Sequence, residues 1–205
     1  MTEVVRAAQQ GGLRERKKAR TRAVLRERAL ALFREQGYQA TTVEQIAAAA
    51  DVSPATFFRY FPTKEDVVLQ DDFDLVTLET LAAQPPELSP VAAFRAAASQ
   101  TLAAMSEDDL SRFRDTTYLT SVVPEIRARA LDELARTIDG IAEGLAGRIG
   151  RDSGDFAIRT LAGAIIGVVM AATMPWLGTD LVPDVREIFR RIDEGLALLE
   201  DGLPV

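Results

Sequence analysis

The chain has 205 residues, 47% of them hydrophobic, no histidine, no cysteine and a formal net charge of −7. This length supports one large domain or two small ones with a proper core, and two unequal domains are expected here. Without thiols or imidazoles, disulfides, thiolate metal sites and histidine-based acid–base or metal chemistry are excluded.

The charge is unevenly spread. Residues 1–64 carry twelve Lys and Arg against six Asp and Glu, a balance of +6, and residues 65–205 carry twelve against twenty-five, a balance of −13. Such a division suits a basic head that meets phosphates and an acidic body that stays off them. The opening MTEVVRAAQQGG lacks the apolar stretch of a signal peptide, so a cytoplasmic location is expected.

Residues 1–13 read as a solvated tail or as a basic arm. Residues 14–28, RERKKARTRAVLRER, are dense in Lys and Arg, Arg20 among them, and lead into Leu25, Ala29, Leu32 and Phe33 at helical spacing. One helix therefore starts basic and ends buried. Its basic start suits the DNA backbone or a minor groove, and Gly37 suits the helix C-cap.

The stretch 42–61, TVEQIAAAADVSPATFFRYF, reads as two short helices joined by a tight turn. Thr42 and Gln45 have capping-box spacing. Ile46, Ala47 and Ala50 form a narrow apolar stripe, and Asp51 is a residue type that tolerates the left-handed region a tight turn demands. Ser53 caps a second helix with Pro54 at its first position. Phe57 and Phe61 then face the first helix, and Ala55, Thr56, Arg59 and Tyr60 lie on or near the opposite face. A helix-turn-helix follows, although capped helices with an apolar stripe also occur in any compact helical protein. After Pro62 and Thr63, Lys64 is placed in the first turn of a helix running to about Gln84, with a phosphate contact or plain solvation as its alternatives.

With Tyr38, Thr41, Thr42, Val52, Ser53 and FFRYFPTKED, the stretch from residue 20 to 70 resembles the TetR family of bacterial transcriptional repressors. The family often has Gly where this chain has Asp51 and commonly Tyr where it has Phe58. Phe58 lacks the hydroxyl with which that Tyr grips phosphate, which leaves the contact to Tyr60. The resemblance implies an all-α fold: a three-helix DNA-binding domain over residues 1–66 and a helical ligand-binding and dimerisation domain over 67–205. It also implies double-stranded operator DNA as a partner, with Arg20, Thr42, Ser53, Pro54, Ala55, Thr56, Arg59, Tyr60 and Lys64 as contacts. Ala55 and Arg59 are the better candidates for base edges.

Beyond Pro85 and Pro86, helices are expected near 90–106, 108–122, 124–149, 155–177 and 182–202. Leu161 to Leu177 is free of charge, yet it is short for a membrane span, rich in Ala and Gly and followed by an acidic flank. A core helix that also meets a second subunit fits better. The last helix carries Val185, Ile188, Phe189, Ile192, Leu196 and Leu199 on one stripe. These two helices pack within the chain or form a four-helix interface across a twofold axis, as TetR-like proteins do.

No nucleotide-binding loop or catalytic constellation is present, so neither an enzyme nor a cofactor is expected. Asp71, Asp72 and Asp74 are the one carboxylate cluster, better read as a solvated face than as a cation site. Met105, Phe113, Tyr118, Met170, Met174 and Trp176 are either core or the lining of a pocket for a small lipophilic effector. FFRYFPTKEDVVL is similar to a TetR subgroup with an acyl-CoA-like ligand domain; a polyanionic ligand would need Arg112, Arg114, Arg127 or Arg129 at the pocket mouth. The function implied is a repressor released from a palindromic operator by its ligand, the alternative being a constitutive DNA binder.

Overall fold

The computed structural model describes residues 12–70, 73–176, 179, 181 and 184–203, and these are helical or in turns and loops, with no strand among them. The order is α1 Leu13–Gln36, α2 Val43–Ala49, α3 Pro54–Tyr60, α4 Asp66–Leu69, α5 Phe73–Ala82, α6 Pro90–Ala104, α7 Glu107–Val122, α8 Pro124–Ile149, α9 Phe156–Thr173 and α10 Val185–Glu200. A short 3-10 turn, Met174–Trp176, follows α9.

Helix α1 exists because Leu25, Ala29 and Phe33, spaced four apart, are all buried on one side. It stops at Gly37, whose φ of 85° lies in the region open to glycine and whose amide bonds to the Phe33 carbonyl. Helix α8 runs from Pro124 at its first position to Gly150, a left-handed cap at φ 66° and ψ 34°.

The body is a helical stack. α9 packs between α8 and α10, while α6 packs against α5 and α10. Val185, Ile188, Ile192 and Leu196 of α10 are buried together. At the α9–α10 crossing a Cβ on Gly195 would fall 2.6 Å from Cγ1 of Val168, so glycine is required for that approach. Arg148 of α8 donates to the carbonyls of Leu81, Gln84 and Pro85 at 3.0, 2.8 and 2.7 Å. It thereby satisfies acceptors that the end of α5 leaves open.

Two apolar clusters result. One fills the body around Leu81, Phe94, Leu145 and Ile165. The other lies under the head, and α1, α2, α3 and α4 share it with Leu119, Val123 and Ile126 of the α7–α8 corner.

The structure corrects one expected element. Instead of a continuous helix from Lys64 to Gln84, α4 ends at Leu69 and α5 begins at Phe73, and Lys64 sits in the turn before α4. Gln70 leaves helical geometry at φ −89° and ψ 64°. Its carbonyl and side-chain oxygen accept from Arg22 of α1 at 3.1 and 3.2 Å, a tertiary claim on the backbone that local sequence does not announce. Asp71 and Asp72 lie outside the described residues, as does the side chain of Asp74.

Candidate nucleic-acid interface

Helix α2 opens on the expected capping box. The Gln45 amide donates to Oγ1 of Thr42 at 3.3 Å, and the Thr42 amide donates to Oε1 of Gln45 at 2.9 Å. Gln36, at the end of α1, donates to the same Oε1 at 3.0 Å and to Oγ1 of Thr41 at 3.1 Å, tying α1 to the start of α2. Asp51 turns the chain at φ 54°. Ser53 then caps α3: its Oγ accepts the Thr56 amide at 3.1 Å and lies 3.0 Å from the Thr56 hydroxyl.

Phe57 and Phe61 are fully buried, Phe57 against Phe61 with ring centroids 5.8 Å apart, and they anchor α3 on the head cluster with Ile46 and Ala47. The outward face of α3 is Pro54, Ala55, Phe58 and Arg59, all exposed. Thr56 and Tyr60 are half-buried at its flanks. The Arg59 guanidinium carbon lies 5.4 Å from the centre of the Tyr60 ring, so the tyrosine steadies the arginine. Phe58 is therefore a face residue that the sequence reading left out of the contact set. The signal was available: it stands four residues after Pro54 and three after Ala55.

The basic run of α1 divides in two. Arg16, Lys17, Lys18 and Arg20 are exposed, whereas Arg22 and Arg26 turn inward over the Phe61 ring, 5.3 and 6.0 Å from its centre. Lys64 is half-buried: its ammonium donates to the carbonyls of Tyr38 and Thr41 at 2.9 and 3.0 Å and lies 3.9 Å above the centre of the Tyr38 ring. Burial pushes this ammonium down from its ordinary pKa more than Glu65 and Glu125 push it up. The Tyr38 hydroxyl donates to Glu65, and burial together with that carboxylate raises its pKa. Thr42 is exposed, with its hydroxyl used as a cap.

In the body, Phe113, Met170 and Trp176 pack against the same apolar cluster. Met105 stands at the C-cap of α6, Tyr118 is exposed on α7, and the side chain of Met174 lies outside what is described. Arg112 pairs with Asp109, Arg127 donates to the Ser121 carbonyl at 2.9 Å, and Arg129 bonds to Asp66 and Glu133 at 3.0 Å each. Arg112 and Arg127 are thus engaged locally, and Arg129 is committed to a pair that runs from α8 to α4. A cleft of about 300 Å³ opens elsewhere, between α6 and α10, with Ser99, Leu102, Phe189 and Leu196 beside Arg95 and Arg186. Phe189 of this cleft contacts Phe113, with ring centroids 5.7 Å apart.

A capped pair of helices presenting an arginine-bearing face, set on a basic helix and carried by a separate helical body, defines a helix-turn-helix DNA-binding regulator. Residues 25–70 match the bacterial regulatory proteins of the tetR family and residues 88–204 match the MftR C-terminal domain. The chain belongs to the TetR family, whose members are transcriptional regulators and not enzymes.

Among relatives, the regulator TcmR of Streptomyces glaucescens is 44% identical over 101 residues, which span 48% of this chain but only 45% of TcmR. MftR of Mycobacterium tuberculosis, named for mycofactocin biosynthesis, is 27% identical over 155 residues, 75% of this chain and 78% of MftR. Among solved structures, the Thermus thermophilus repressor FadR in complex with lauroyl-CoA is 29% identical with a TM-score of 0.55, covering 90% of this chain and 95% of FadR.

Proposed function

We propose that the chain is a cytoplasmic, homodimeric repressor that binds a palindromic operator and leaves it when a small lipophilic molecule enters the body. The observation that carries the DNA half is the outward face of α3, where Ala55 and Arg59 stand exposed over a fully buried Phe57 and Phe61. In the major groove Arg59 bonds to a guanine edge, while Ser53, Thr56, Tyr60 and the helix start at Pro54 settle against phosphates. Exposed Arg20, the capped start of α2 at Thr42, and the third N–H of Lys64 extend the phosphate track.

Residues 1–66 carry these contacts and residues 67–205 carry effector binding and dimerisation. The dimer reading is supported by α9, which presents Phe156 at 86% exposure and then Gly163 and Gly167, with no atom within 4 Å of where their Cβ atoms would stand. Such an open small-residue face lets a second copy approach closely, and α9 with α10 from two chains makes a four-helix interface. The effector reading is supported by the cleft between α6 and α10, which sets apolar Leu102, Phe189 and Leu196 beside Arg186, while Arg95 at its wall is already paired with Asp193 and Glu200. Apolar walls beside Arg186 suit an apolar chain with an anionic end, the class to which the lauroyl-CoA held by Thermus thermophilus FadR belongs.

A constitutive DNA binder is the second reading, favoured by the packing of Phe113, Met170 and Trp176 directly onto the body core. Selection of bound genomic fragments, followed by a release screen that includes lauroyl-CoA and shorter acyl-CoAs, tests both. Recovery of a palindrome released by one of these molecules supports repression under ligand control. Recovery without release, and without heat on calorimetric titration, selects the constitutive binder; no enriched fragment at all overturns both.

A further inference from the structure

The outward face of α3 has an apolar centre. Phe58 is 51% exposed, its ring meeting only the edge of Phe57 among the described ring pairs, at 5.5 Å and 87°. Pro54 and Ala55, one turn earlier on the same face, are also exposed, and Arg59 borders them. The anchoring of α3 is already supplied by Phe57 and Phe61 at 0% exposure, so the Phe58 phenyl is not needed to hold the helix down. A lone exposed aromatic on a protein surface carries no meaning by itself. This one stands on the surface that the proposed function turns toward DNA, with the exposed cation Arg59 next to it on the same helix.

In a major groove the edges of the bases are polar with one exception, the 5-methyl group of thymine, which cytosine lacks. A benzyl group aimed there gains by covering that methyl. Opposite the hydrogen-bonding edge of a G·C pair it would strip water from groups it cannot bond. We infer that Phe58, with Ala55 beside it, is a specificity-determining residue that reads a thymine 5-methyl group in each half-site, next to the base addressed by Arg59.

The inference rests on the reading of α3 as the recognition helix and deepens it. It also assigns a role to the missing hydroxyl. With Tyr60 and the cap of α3 at the flanks, the centre of the face is free to read an apolar group instead of a phosphate. Burying one methyl group from water is worth about fourfold in affinity, and two half-sites compound to about fifteenfold.

The test uses the full chain and duplexes selected from a randomised double-stranded library. Thymines in the selected duplex are replaced one at a time by deoxyuridine, which removes only the methyl. Wild type should lose about fourfold in affinity at one position of each half-site and little elsewhere. Phe58→Ala should bind the thymine and uracil duplexes alike, and Phe58→Tyr, which keeps the ring, should retain the discrimination. Arg59→Ala should keep the methyl effect while relaxing the neighbouring position, and an unchanged thermal midpoint for Phe58→Ala verifies that the head is intact. A wild type indifferent to every methyl, a selected site without thymine, or full methyl dependence in Phe58→Ala overturns the inference while leaving DNA binding in place. Failure of wild type to enrich any duplex would instead remove the DNA reading beneath it.

Discussion

The Asp66 carboxylate, fully buried at the first turn of α4, accepts a 3.0 Å hydrogen bond from Nε of Arg129, a residue of the body helix α8. Its other oxygen accepts the Thr63 amide at 3.0 Å, and Arg129 reaches on to Glu133 at 3.0 Å. A buried carboxylate thus ties the turn below the recognition helix to a 26-residue helix of the body. Helix α4 also places Val67 and Val68 in the head cluster, so the same short helix touches the underside of the head and the body helix α8.

Asp66→Ala removes both bonds and leaves the Thr63 amide without its acceptor. A loss of about 3 kcal/mol is expected, at the low end for breaking a buried pair because Arg129 is partly solvated. For a chain of this size that lowers Tm by roughly 6–12 °C, checked by calorimetry. Under the proposed ligand control, the same variant should bind operator with a weakened response to the effector. An unchanged Tm would show that the pair does not hold head to body.

Arg59 and Lys64 should separate on DNA. Arg59→Ala costs about 1–3 kcal/mol of discrimination at one base position and relaxes preference there. Lys64→Ala weakens all sequences together and reduces the salt slope by about one counterion. It also frees the carbonyls of Tyr38 and Thr41, so a modest fall in Tm should accompany it. Both are read from binding isotherms across salt concentrations.

Acid sensitivity should trace to Glu65. Burial pushes its carboxyl up, but the Tyr38 hydroxyl, its own backbone, Thr63 and the Lys64 ammonium together hold it below the ordinary value of 4.5. A depressed carboxylate contributes stability that is present above pH 4.5 and lost as the pH falls from there through the folded value. The midpoint of Glu65→Gln should therefore fall less steeply than wild type between about pH 5 and about pH 3. Matching slopes would mean that Glu65 does not contribute.

Two glycines should respond in opposite ways. Gly195→Ala forces a methyl into Val168 at the α9–α10 crossing and should cost about 1–3 kcal/mol. Gly167→Arg meets open space on α9, so the monomer should stay folded while the proposed dimer dissociates, as read by sedimentation. A dimeric Gly167→Arg would place the interface elsewhere.

Where local chemistry decides the structure, residue order was enough. Thr42 with Gln45, Asp51 at positive φ, and Ser53 before Pro54 were all legible because caps and turns depend on a few neighbouring atoms. The body helices were legible for a similar reason, since Pro90, Pro124 and Gly150 mark their ends. Tertiary competition was not. Gln70 is drawn out of a helix by Arg22, 48 positions earlier, and the inward turn of Arg22 and Arg26 reverses what a basic run suggests. The cleft was hidden as well, because Arg95 and Ser99 meet Arg186 and Phe189 only once α6 lies on α10.

Leu119, Val123 and Ile126, from the α7–α8 corner, complete the apolar floor beneath the head. A chimera that transplants only the first seventy residues onto a foreign body would bare that floor to water and invite clumping. A working graft must bring a matching oily corner with it.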